Sequence, residues 1–462
     1  MKTTSPASAA SPETANGLRR TLGLFPLTNI VVANMIGAGI FTTSGLLMRD
    51  LRDPGLMLLL WAVGGLIALC GALSYGELGA ALPHAGGEYA FLSRIYHPLP
   101  GFLSGWVSFF VGFSAPIAAS AIGFTEYLVR AFPGLLPEGT VSLVGKKALA
   151  IAVILAFTLL HTRGLELGTR VQNFLTILKV ALVVGLVAGG FALGKGSLTH
   201  LTTGPGPGTG FAAWKTAGLS LMWILFAYSG WNASAYLGSE AKNPARNLPR
   251  SLLLGTGLVT LLYLSLNLFY VYAVPPGEME GVISIAALAA GSLFGPAVET
   301  VIAVFVSFAL FSSLSAFIIL GPRVYYAMAR DGHFFKSLAV VHPKFGVPAR
   351  AILLQGAIAS IMVLLGTFDQ LLTYMGFSLG LFPLLAVWGV FKLRRKGHRL
   401  LKFPLFPLAP VIYLTAGAAV LILSYFERPF ESSLAVLTVL LGVPVYLFFR
   451  KSRSRKDLSS SP

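Results

Sequence analysis

Cysteine and charge are what this sequence of 462 residues has least of. A single cysteine occurs, Cys70, inside an apolar stretch, so no intrachain disulfide can staple the fold. Charged residues make up 11% of the chain, where a soluble domain carries about 25%. Acids are scarcest, with 17 Asp and Glu against 34 Lys and Arg and a net charge of +17. No HExxH or paired-cysteine spacing occurs, and the seven histidines (His84, His97, His161, His200, His333, His342 and His398) are placed in or near loops, which argues against a metal site. An intramembrane enzyme would need an embedded histidine beside an acid or nucleophile, and a channel would need a filter loop. Neither is found. The first 20 or so residues hold no apolar core, so they read as a disordered cytoplasmic tail and not as a signal peptide.

What the chain has in excess is apolar surface: 55% of residues are hydrophobic and the mean hydropathy is +0.77. Only lipid accommodates so much, and in lipid the backbone must bond to itself, as helices or a closed barrel. Barrel strands alternate in short segments. Here the apolar runs last roughly 20 residues, the length of a membrane-crossing helix. About twelve spans are expected, with cores near 24–48, 56–80, 101–130, 146–162, 170–193, 214–238, 250–274, 294–328, 349–366, 369–393, 405–425 and 433–450.

Basic residues fix an orientation. Placing the N-terminus inside puts 25 Lys and Arg on the cytoplasmic side, eight outside and one, Lys179, within a span. By the positive-inside rule both termini are then cytoplasmic. With cations confined to short loops, the positive balance marks a membrane protein, and no nucleic-acid partner is expected.

Two spans carry a flaw at their centre. The first reads Asn34-Met-Ile-Gly-Ala-Gly-Ile-Phe41, with Gly37 and Gly39 where glycine weakens a helix. The sixth reads Phe226-Ala-Tyr-Ser-Gly-Trp-Asn-Ala-Ser234, with Gly230 between polar neighbours. Either glycine set could serve close helix packing alone. Their spacing points further, because five spans separate them, so the second half of the chain enters the membrane from the opposite side. That is the arrangement of inverted-repeat transporters, whose broken helices build a midplane site. Half-helix N-termini suit a carboxylate and exposed carbonyls suit an ammonium, so an α-amino acid answers both.

Several motifs carry a resemblance. Met35-Ile-Gly-Ala-Gly-Ile-Phe41, Leu73-Ser-Tyr-Gly-Glu-Leu-Gly79, Pro83-His-Ala-Gly-Gly-Glu-Tyr-Ala90, Leu225-Phe-Ala-Tyr-Ser-Gly-Trp-Asn232, Ser239-Glu-Ala-Lys-Asn-Pro-Ala-Arg-Asn-Leu-Pro-Arg250 and Tyr326-Ala-Met-Ala-Arg-Asp-Gly332 resemble the amino acid–polyamine–organocation (APC) permeases, most of all the L-type amino acid transporter branch and its bacterial relatives. The resemblance runs from about residue 20 to 450. It implies an all-α membrane protein with the LeuT-type fold: a first inverted repeat over 21–193, a second over 194–396, two further spans over 397–450 and a basic, Ser-rich tail over 451–462. It also implies a substrate site made of Ile36, Gly37, Ala38, Gly39 and Ile40 with Phe226, Ala227, Tyr228, Ser229 and Gly230. In that site the amides around Gly37, Ala38 and Gly39 would hold the carboxylate. The carbonyls of Phe226, Ala227 and Ser229 would take the amine, and Phe226 would be the gate. Many family members have Ser or Thr between the two glycines; here it is Ala38, so only backbone is left to bind. Animal L-type transporters join an ancillary subunit through an extracellular cysteine; with Cys70 alone, no disulfide-linked subunit is expected.

Lys179 lies nine residues beyond Arg170, a rise of roughly 13–14 Å that places it near the midplane. An ionisable group at that depth is functional by default. It either carries a proton or stands in for the sodium ion that bridges the first and eighth helices in sodium-driven relatives, with Ser312, Ser313 and Ser315 as candidate partners. Sodium is not expected, and no cofactor beyond a possible proton. Glu77, Glu88 and Glu240 are expected in cytoplasmic salt bridges among Arg94, Arg246 and Arg323, Asn34 as a half-helix cap, and Tyr374 and Ser378 along the cavity. The expectation is a secondary transporter in the cytoplasmic membrane, an exchanger or proton symporter. Neutral amino acids are favoured because no acid lies mid-span in the first or sixth helix. A cationic amino acid or polyamine permease is the alternative.

Overall fold

A computed structural model describes residues 20–136, 140–163, 165–202, 204–206, 208–366, 368–397 and 405–459, with the side chains of 140–142, 165–172, 312, 369, 370, 373 and 451–459 outside the description. The elements in order are α1 (Leu24–Met35), α2 (Ala38–Leu51), α3 (Pro54–Ala81), α4 (Gly87–Ile95), α5 (Pro98–Val107), α6 (Ser114–Ala131), α7 (Thr140–Thr162), α8 (Leu165–Leu193), α9 (Gly210–Ala227), α10 (Pro244–Ala273), α11 (Pro276–Met279), α12 (Ile285–Phe294), α13 (Pro296–Arg330), α14 (Ala349–Leu365), α15 (Phe368–Arg395), α16 (Leu408–Glu427) and α17 (Pro429–Ser459). Among the described residues there are 11 stretches long and apolar enough to cross a bilayer, and α14, 17 residues long, supplies the remaining expected span.

Equivalent spans of the two halves pack on one another: α3 against α10, α6 against α13, and α2 against α9. Around this centre the outer helices turn leucine, phenylalanine and tryptophan outward. On α8, Phe174 and Ile177 are exposed while Thr176, Lys179 and Val183 are buried, a 3.6-residue alternation that puts lipid on one side and the bundle on the other. Large outward apolar side chains without polar neighbours are what a hydrocarbon solvent calls for.

Three local outcomes differ from the expected spans. The sixth span ends as a helix at Ala227, and its cytoplasmic part is a run of turns followed by a 3-10 stretch, Ala233–Tyr236. The third span is interrupted as well, by a π-helical stretch at Ser108–Gly112 between α5 and α6. Pro116 gives the reason: it has no N–H to offer the Gly112 carbonyl and its ring crowds that turn. Ser114 Oγ instead donates to the Phe109 carbonyl at 2.7 Å. Finally, α17 continues through Ser459 across the expected tail, where its terminal Lys and Arg lie at the favourable end of the helix dipole.

Candidate functional site

The break in the first span is two residues long. α1 ends at Met35, Ile36 leaves helical geometry at ψ 88°, Gly37 is extended, and α2 starts at Ala38. A helix that stops in mid-membrane strands its last four carbonyls, here those of Ala33, Asn34, Met35 and Ile36. Side chains from three other spans meet three of them. Lys179 Nζ from α8 donates to the Ala33 carbonyl at 2.8 Å and to that of Ile36. Ser313 Oγ from α13 donates to Ile36 at 2.8 Å and accepts from Lys179 at 3.2 Å. The Tyr263 hydroxyl from α10 lies against both the Met35 carbonyl and that of Ala227, the latter at 3.0 Å. Lys179 is fully buried, and its ammonium sits at the negative end of α1's dipole.

On the other side of the break α2 opens without a side-chain cap. Its first-turn N–H groups therefore face the gap, and the positive end of its dipole lies beside them. Gly39 has no room for a side chain: a Cβ there would stand 2.6 Å from Ala227 Cα. The broken spans thus touch backbone to backbone.

The second break is longer. Tyr228 caps α9, Ser229 N–H turns back to the Phe226 carbonyl at 2.8 Å, and Gly230 takes φ 97°, a left-handed conformation costly for any other residue. A Cβ on Gly230 would also meet Asn34 Cβ at 2.7 Å. Phe226, Ser229 and Gly230 line a cavity of about 130 Å³. Ile36 to Ile40 and Ala227 lie behind this wall and do not line it. Tyr228 turns away: its hydroxyl donates to the Trp61 carbonyl at 3.1 Å and its ring packs on Trp61 and Tyr263. The π-helical stretch of the third span, with Ser104, Ser108 and Gly112, forms part of the cavity wall. Pro116 was the sequence signal for it.

Other expected residues fall as follows. Ser313 joins Lys179, whereas Ser315 Oγ bonds His161 Nε2 at 2.9 Å, and the Ser312 side chain lies outside the described residues. His161 is buried at the end of α7 and not in a loop. Asn34 Nδ2 donates to the Ile30 carbonyl of its own helix at 2.9 Å, so it back-bonds α1 and caps nothing. Tyr374 pairs with Thr438 at 2.7 Å on α17, while Ser378 does line the cavity. Glu240 pairs with Arg323 at 2.8 Å as expected, but Glu77 takes Arg394 at 2.7 Å. Glu88 meets no cation. Its carboxylate accepts from Tyr75 at 2.8 Å, from Asn232 at 2.5 Å and from Tyr236.

The cytoplasmic ends are tied across the bundle. Leu22 exchanges backbone bonds with Glu240 and Lys242 at 3.0 and 2.8 Å, and Gly86 N–H reaches the Tyr236 carbonyl at 3.1 Å. In the loop between α3 and α4, burial holds His84 below the usual histidine range, and Arg94 adds to the effect against a weaker pull from Asp331. On the opposite side Arg130 bridges Glu299 at 2.7 Å and Ser284 at 2.6 Å.

Two broken helices meeting at a cavity beside a buried lysine suggest a carrier, and comparison with known sequences fixes the family. The profile of the amino acid permease family matches residues 22–444. The chain belongs to the amino acid permeases. It is 30% identical to the b(0,+)-type amino acid transporter 1 of Mus musculus over 94% of this chain and 88% of that protein. It is 31% identical to the large neutral amino acids transporter small subunit 2 of Homo sapiens, over 95% and 83%. The Asc-type amino acid transporter 1 of Homo sapiens is 29% identical over 93% and 82%. The permease is thus a multi-pass membrane protein of the LeuT-type fold.

Proposed function

We propose that this permease carries α-amino acids across the cytoplasmic membrane by alternating access, with both termini inside. The observation that carries the reading is the pair of backbone breaks held against each other at Gly39 and Ala227. The uncapped amides of α2 suit the substrate carboxylate, and the carbonyls that end α9 suit its ammonium. The apolar wall of the cavity, from Ile67 through Phe226 to Leu379, suits a neutral side chain. Phe226 stands between the cavity and the α2 amides as the gate.

Lys179 serves coupling in this reading. Its ammonium ties the first span to the eighth, through Ile36 and Ser313, so a sodium ion has no vacancy there and transport is independent of sodium. Cys70 is buried in α3, which supports a carrier without a disulfide-linked subunit.

Counterflow in proteoliposomes tests the function. Unlabelled amino acid inside should accelerate uptake of labelled amino acid, equally in sodium and in choline buffer. A channel gives no such stimulation and an enzyme gives product.

A further inference from the structure

Three acids are buried among the described residues: Glu77, Glu88 and Glu240. Two of them are neutralised, by Arg394 and Arg323. Glu88 is 3% exposed, and its three donors are neutral: two tyrosine hydroxyls and one amide. Those bonds satisfy the lone pairs of a carboxylate, which only accepts, but they leave its charge without a counterion. A buried charge in that condition is costly until a cation arrives.

Position decides which cation. Among the described residues lining the central cavity, Glu88 is the one charged side chain. It enters from α4, outside both broken spans, which is why the absence of acids in the first and sixth helices did not reveal it. Asn232, which holds its carboxylate, is two residues from Gly230, so the two Cα atoms are at most about 7 Å apart. A ligand anchored by its α-ammonium at the α9 break would point a lysine-length side chain across this gap.

We propose that Glu88 is the acceptor for a cationic side chain, so that the permease accepts dibasic amino acids such as arginine and lysine beside neutral ones. The proposal rests on the transport reading above. Tyr75, Tyr236 and Asn232 then act as positioning residues: they hold the carboxylate facing the cavity in the absence of substrate and limit the reorganisation needed to bind.

Arginine and citrulline have nearly the same shape and differ in charge, so their competition against labelled leucine in proteoliposomes of the full chain isolates Glu88's contribution. Arginine should compete about tenfold better than citrulline, as a charge-assisted contact requires. In Glu88→Gln that preference should collapse to roughly unity, since the carboxamide keeps the shape and loses the charge. Equal competition in the wild type overturns the proposal, as does a preference that persists in Glu88→Gln. Should the variant not fold, the wild-type comparison decides alone. If the wild type exchanges leucine but neither arginine nor lysine, the subsite falls and the transport reading stands; if it exchanges no amino acid, the transport reading itself falls.

Discussion

The two breaks begin from similar sequence and end in different chemistry. At the first, the stranded carbonyls of α1 are met by the protein's own cation, Lys179, with Ser313 and Tyr263 completing the set. At the second, the end of α9 turns through Gly230 onto the cavity and contains no built-in cation. Both ends carry the negative pole of a helix dipole. One is already neutralised, so a ligand's ammonium belongs at the other. The comparison shows how a repeated architecture becomes directional: one break is a joint, and its partner is a seat.

Forcing the two breaks apart should have the largest effect. Gly39→Leu drives a side chain into the Ala227 backbone, where no flexible group can yield. Overpacking of about 3 kcal/mol corresponds to a loss of roughly 100-fold in amino acid affinity, measurable by thermal shift with ligand. Normal affinity in this variant would mean that the glycines only pack.

Removing the joint's cation comes next. Lys179→Ala leaves the Ala33 and Ile36 carbonyls without their ammonium, and unsatisfied buried groups should cost about 3 kcal/mol. Exchange should fall while the protein still folds in detergent at a lower melting temperature. Unchanged uptake with unchanged pH dependence would reject a coupling role.

Gly230→Ala strains the seat, because φ 97° and the contact with Asn34 both oppose a Cβ. A backbone penalty of roughly 1–2 kcal/mol should weaken binding by about tenfold. The smallest effect is expected on α13: Ser313→Ala removes one acceptor from Lys179 and should lower stability by about 1 kcal/mol. Ser315→Ala, facing His161, should leave exchange as it is. A reversed order of these two serines would contradict the placement of the joint.

Much of this was legible in the sequence for a physical reason. Span length, glycine at mid-membrane and a lone lysine are all costly in lipid, so each is visible wherever it occurs. Thus α1 and α9 end within a residue or two of the marked glycines, and Lys179 sits at the depth its distance from Arg170 predicts. What was hidden depended on facing. Ser313 and Ser315 differ by two positions on one helix and reach opposite partners. Glu88 belongs to a short helix beside the spans, and only the fold brings it to Asn232. The π-helical stretch was readable from Pro116, but its place on the cavity wall was not.

The account depends on where an amino acid lies in the protein. A density map of the permease with bound leucine should put the carboxylate on the Gly37–Gly39 amides and the ammonium at the end of α9, with Lys179 still on Ile36. Density elsewhere, with both breaks unoccupied, would contradict it.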